Sequence, residues 1–182
     1  MQFSLSEAIG PFQTAAGAAF NTFTTKKDVS PQPLPVLLGG KVVRGTKIYM
    51  RAAGEYSSLT GAALNLGFWF GTRAGAITGD IALSSTITTG TTPAAWPWWM
   101  EWDGFCNQEG ASGTLLGQGQ LQLGSSLTAF NAEVPIPITQ ALRTVASFDT
   151  TIERAIGVSA TWGASSASNQ IIVNKLRVIV WN

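Results

Sequence analysis

The sequence predicts an all-β chain: an antiparallel jelly-roll β-sandwich of about eight strands behind an extended N-terminal arm. Three observations predict it. Apolar residues alternate with polar or small ones over short runs, the period in which a strand sends side chains to opposite faces. Clusters of Gly, Pro, Asn, Asp and Ser separate those runs. No run of good helix formers holds a helical period over a useful length. Of the 182 residues, 45% are hydrophobic, enough for a sizeable core. Residues 1–16 read as the arm and residues 17–182 as one sandwich domain.

In the arm, Ser4 and Glu7 match a capping box, but Gly10-Pro11 stops any helix there. Ala18 to Thr25 alternates weakly, with Phe20 and Phe23 among threonines, and reads as a short edge strand. Lys26-Lys27-Asp28 reads as a turn. Ser30-Pro31-Gln32-Pro33-Leu34-Pro35 is either a polyproline recognition motif or a stiff connector; it leads straight into apolar Val36-Leu37-Leu38, which favours the connector.

Thr46 to Tyr56 is a strand with Thr46, Ile48, Met50, Ala52 and Tyr56 inward. Leu64, Leu66, Phe68 and Phe70 form the next inward row, with Trp69 outward. Ile81 and Leu83 mark a further strand, and Ser84 to Pro93 reads as exposed. In Ala95 to Asn107, Trp96, Trp98, Met100, Trp102 and Cys106 share an apolar face, while Pro97, Trp99, Glu101, Asp103 and Phe105 share the other. Burial of aromatics at about 150–250 Å² each makes this stretch the anchor of its sheet. A sugar-binding platform and a subunit contact are the other readings of its tryptophans.

Leu115, Gly117, Gly119, Leu121 and Leu123 face inward against a row of glutamines. Val134, Ile136 and Ile138 alternate with Pro135 and Pro137, which confines them to an edge strand or strap. Ile156, Val158, Ala160 and Trp162 form another inward row. The last strand, Gln170 to Trp181, has Ile172, Leu176, Val178 and Val180 on one face, with Lys175, Arg177 and Trp181 on the other.

Charged residues make up 12%, and the net charge is +1. That balance gives no electrostatic case for nucleic acid or an anionic membrane surface. No apolar stretch approaches the ~20 residues of a membrane-spanning helix. Met1 to Glu7 has no basic n-region, so no secretory signal is expected. There is no histidine, the commonest general base and metal ligand. Cys106 is the single cysteine and reads as a small buried hydrophobe.

Glu101 and Asp103 lie two apart on one strand face, a spacing that fits a glycosidase pair or a calcium site only weakly, since calcium takes about 6–8 oxygens. Asp149 and Glu153 are expected to pair with Arg143 or Arg154. Gly117-Gln118-Gly119 precedes no helix, so it is no phosphate loop. The expectation is no catalytic residue, no cofactor, no metal and no enzyme.

Two stretches, Val42 to Ser57 (VVRGTKIYMRAAGEYS) and Leu64 to Gly71 (LNLGFWFG), resemble the start of the core in small jelly-roll virion proteins of tailed bacteriophages. Gly110 to Gly119 (GASGTLLGQG) is similar to that family's central hairpin, and Val158 to Ile171 (VSATWGASSASNQI) to its last turn. The resemblance spans about residues 17–181. It implies a capsid decoration, head-fibre or tail component, often trimeric, with no catalytic residues to carry over. The expected partners are further copies of the chain and a major capsid or other virion protein. The expected location is the virion, after synthesis in the host cytoplasm. Expected subunit or shell contacts are Phe3, Leu5, Ile9 and Phe12 in the arm and Trp69, Trp99 and Trp181 on outward faces. A tail, baseplate or receptor-binding component and a carbohydrate-binding module are the alternatives.

Overall fold

Two antiparallel sheets face each other across one core. The computed structural model describes residues 6–9, 17–90, 92–124, 130–136, 143–145 and 147–181. Its strands are β1 (Ser6–Ile9), β2 (Ala19–Asn21), β3 (Lys27–Asp28), β4 (Val36–Leu37), β5 (Lys47–Ser57), β6 (Ala63–Gly71) and β7 (Ile77–Leu83). There follow β8 (Ile87–Thr88), β9 (Trp96–Gln108), β10 (Thr114–Gly124), β11 (Phe130–Ile136), β12 (Arg143–Val145), β13 (Arg154–Trp162) and β14 (Gln170–Trp181). The larger sheet runs β1–β14–β5–β9–β10–β11, with β2 also on β14 and β12 also on β10. The smaller runs β3–β13–β6–β7, with β4 on β13 and β8 on β6.

The Trp-rich β9 lies between β5 and β10 in the larger sheet. Its inward row is buried as alternation requires: Trp98 is 1% exposed, and Met100, Trp102 and Cys106 are 0%. Trp102 lies over two glycines that pair with each other across the β9–β10 ladder, Gly104 and Gly117. A Cβ on Gly104 would fall 2.1 Å from the Trp102 ring, and one on Gly117 2.3 Å. The ring therefore fills the space that two side chains would take. Trp98 donates its indole N–H to the carbonyls of Glu55 at 3.2 Å and Ile172 at 3.3 Å. It thereby ties β9 to β5 beside it and to β14 one strand further on. Facing rows come from Leu64, Leu66 and Phe68 on β6 and Ile156, Val158 and Trp162 on β13, all fully buried. β11, with Pro135, is an outermost strand, as a residue without an N–H demands.

Four expectations need correction. Ile172 does not share the face of Leu176. A bulge between Val173 and Lys175 inserts one residue and flips the side-chain parity, so Ile171 and Val173, both 0% exposed, are the inward residues before it. Lys27–Asp28 is not a turn but pairs with β13. Ser84 to Pro93 is not uniformly exposed: Ile87–Thr88 pairs with β6, and Ser84 and Thr89 are buried. Glu153 pairs with neither expected arginine; Arg73 grips it with two bonds of 3.0 and 2.7 Å. Of the arm, Ser6–Ile9 pairs along the outer edge of β14.

The smaller sheet is covered on its outer side as well. Trp69, expected outward as a subunit contact, does point away from the main core, yet it is 0% exposed. The proline-rich connector lays Leu34 and Val36 over it, with Ala155 and Ile77 beside it. Gly157 makes room, since a Cβ there would come within 2.5 Å of the indole. Asp28 anchors this second layer: one of its oxygens accepts from the Ser30 N–H, the Ser30 hydroxyl and the Trp69 indole N–H. Burial raises the Asp28 pKa, and those donors only partly offset it.

Two predictions test this packing. Trp98→Ala should cost about 3–5 kcal/mol in chemical unfolding, whereas Trp99→Ala, on the half-exposed face, should cost clearly less; equal losses would contradict the register. Asp28→Ala, by leaving the Trp69 and Ser30 donors unpaired, should cost about 1–3 kcal/mol, while Asp28→Asn, which keeps an acceptor and removes a buried charge, should cost less. With the folded pKa above the unfolded one, the native state holds the proton longer, so Asp28 lowers stability as pH rises through the interval between them. Asp28→Asn should flatten that slope in urea titrations across mildly acidic pH.

Candidate functional site

The outer face of the larger sheet differs, among the described residues, from the outer face of the smaller one. Among the described residues, none of the side chains projecting from it on β5, β9, β10 and β14 is buried; all are half-buried or exposed. The smaller sheet's outer face, by contrast, holds buried Trp69, Ala155 and Ser159.

Cross-strand register fixes what sits beside what. One row reads Arg177, Arg51, Glu101, Gln120 across β14, β5, β9 and β10. The next reads Ile179, Tyr49, Asp103, Gln118. On the other side, Lys175, Ala53, Trp99 and Gln122 align. Opposed residues lie about 4.5–5.5 Å apart, so each row is a line of contacts.

Glu101 is the most organised group on the face. The Tyr49 hydroxyl donates to one of its oxygens at 2.8 Å, and the Gln120 amide N–H donates to the other at 3.0 Å. The Arg51 guanidinium sits 5.5 Å from the Trp99 ring centre, within reach of a cation–π attraction. Burial raises the Tyr49 pKa, and the Glu101 carboxylate that accepts its proton adds to the rise. Asp103 is exposed beside this cluster.

Of the expected contact residues, Trp99 and Trp181 lie half-buried on this face. Trp69 does not, for the reason given above. Ile9 ends β1, and Phe3, Leu5 and Phe12 lie outside the described residues. What sequence reading missed is that Tyr49, Arg51 and Gln120 converge on Glu101 and Trp99. Each was visible as an outward residue, but only the pairing of β5 and β10 with β9 brings them together. Among the described residues, no group of three or more His, Cys, Asp or Glu side chains is placed to hold a metal ion. A cleft of about 230 Å³ opens near one end of the sandwich, lined by Tyr56, Ile87, Thr89, Leu123 and Val134 among others. Its Tyr56 hydroxyl is already committed to the Gly124 carbonyl at 2.7 Å.

No protein-family model matches the chain, and no curated protein does. A solved structure of a variant of the alginate lyase Aly36B, bound to an alginate trisaccharide, matches over 96% of this chain and 97% of that one. The identity is 11% and the TM-score 0.31. This corrects one expectation: the sequence argued against an enzyme, yet the protein matched is one. The exclusion of catalysis is therefore withdrawn. A likeness at that TM-score carries no argument for any particular activity.

The two tyrosines offer a direct check of the site. Burial pushes Tyr56 up to about 12, and Tyr49 lies above its usual value. Phenolate absorbance should therefore show neither tyrosine ionising at the ordinary pH, and Glu101→Gln should bring one of them down. The unfolded chain releases these protons earlier than the folded one, so stability should fall as pH rises between about 10 and 12.

Proposed function

We propose that this chain is a structural protein of a tailed-bacteriophage particle: a capsid decoration subunit that binds the outer shell as an oligomer, three copies together. One observation carries the reading: of the two outer sheet faces, the smaller sheet's is roofed by the chain's own connector, and among the described residues no such roof lies over the larger sheet's. That open face presents Trp99, Trp181, Ile172 and Ile179 half-buried. Large apolar side chains set among polar ones in this way are what subunit contacts use.

The strand order supports the reading too. With β1 and β2 taken as a first strand, β3 and β4 as a second and β10–β12 as an insertion, the sheets run 1-8-3-6 and 2-7-4-5. That is the order of a jelly roll wound from one long hairpin, the architecture of many capsid proteins. Shell proteins and further copies of the chain are the partners in this account.

A second reading rests on the Trp99–Arg51 pair beside Tyr49, Glu101 and Gln120, since an aromatic flanked by fixed polar groups also suits a sugar ring. Gradient-purified particles of the source phage, probed with antibody to the recombinant protein, separate the two. Multiple copies per particle are expected. Absence from particles, together with glycan-array binding abolished by Trp99→Ala, would favour the sugar reading instead.

A further inference from the structure

The open face of the larger sheet is divided by charge along its length. Lys47, Arg51, Lys175 and Arg177 all project from β5 and β14, and all four are exposed. Glu101 and Asp103 project from β9, and Glu133, exposed, lies on β11. Arg51 and Arg177 stand directly opposite each other, a like-charge pair that weakens a lone sheet. The two ion pairs among the described residues, Lys26–Asp80 and Arg73–Glu153, use none of these groups. Glu55, half-buried at one end of β5, is the one acid among the described outward residues of β5 and β14. One half of the face is thus a basic strip, with four cations to one carboxylate, and the other an acidic, amide-rich one, with Trp99 where they meet.

We infer that the occupant of this face is a second copy of the chain, set so that the basic strip of one copy meets the acidic strip of the next around an axis along the strands. This rests on the oligomeric reading above and deepens it. Geometry selects that axis. Rotation about a line parallel to the strands, two-fold or three-fold, brings the left half of one face to the right half of the next, so positive meets negative. Rotation about a line across the strands leaves the halves in place and sets Arg51 and Arg177 against their own copies. Such juxtaposed like charges are strongly disfavoured at an interface.

The size of the face is adequate. Four long strands at ~4.8 Å spacing and about eleven residues of ~3.3 Å rise cover roughly 700 Å². A standard interface buries about 800 Å² per partner, so the face matches one such contact or two smaller ones shared with the neighbours of a three-copy ring. The apolar positions among the charges supply the contact area, and the strips set register and exclude the wrong rotation.

Charge exchange tests this. Sedimentation velocity at low salt should show the wild-type protein as a closed oligomer. Lys175→Glu with Arg177→Glu should weaken the assembly by about tenfold or more, and so should Asp103→Lys with Glu133→Lys. All four changes in one chain again set opposite charges against each other at the four reversed positions and should restore assembly, because those contacts are once more complementary. Circular dichroism and melting of each variant establish that it is folded.

A monomeric wild type would overturn the inference. So would reversals that leave assembly unchanged, or a four-fold variant no better assembled than either pair. Failure here is distinct from failure of the virion reading. A protein that assembles by charge-matched strips but is missing from particles sinks only that reading. One found in particles but indifferent to the reversals sinks only this inference.

Discussion

The structure depends on the row Trp98, Met100 and Trp102 on β9. β9 contacts β5 on one side and β10 on the other, so its inward side chains hold the middle of the larger sheet. Trp102 occupies the volume vacated by Gly104 and Gly117, and Trp98 adds polar ties to β5 and β14. Interiors packed near crystal density do not tolerate such rings displaced by a methyl group. The glycines of β9 and β10 therefore belong to the core as fully as the tryptophan does.

That constraint fixes the outer face. Because Trp98, Met100 and Trp102 must point inward, Trp99, Glu101 and Asp103 must point outward; a slip of one residue would exchange the sets. The organised cluster of Tyr49, Glu101 and Gln120, the Arg51–Trp99 pair and the division into charged strips all inherit their positions from the inward row. The two sheets then meet different fates. The smaller one is roofed by Leu34 and Val36 over Trp69, with Asp28 as anchor, while among the described residues nothing comparable covers the larger one's outer side.

Much of this was legible in the sequence. Alternation placed the inward rows of β5, β6, β9, β10 and β13 correctly, since each is a regular strand with one apolar face. It failed where a local event broke the period. The bulge near Asn174 flips Ile172 outward, and nothing in an all-apolar run such as Ile171-Ile172-Val173 marks which residue is the extra one. It failed again at Trp69, because strand parity gives a direction but not what lies beyond. Burial of that indole comes from a connector far away in sequence, drawn over it by Asp28 and Ser30. The face that matters was visible as separate outward residues; its charge division needed the order β14–β5–β9–β10, which no local pattern contains.

The central claim is that the larger sheet's open face is covered by a neighbouring copy in the assembled protein. An electron-microscopy map of the assembly, at a resolution that distinguishes the two sheets, tests it most directly. The account predicts the larger sheet turned toward the adjacent copy with Trp99 at the contact and the smaller sheet, under its own roof, turned to solvent. A map with Trp99, Arg51 and Arg177 facing open solvent would contradict it.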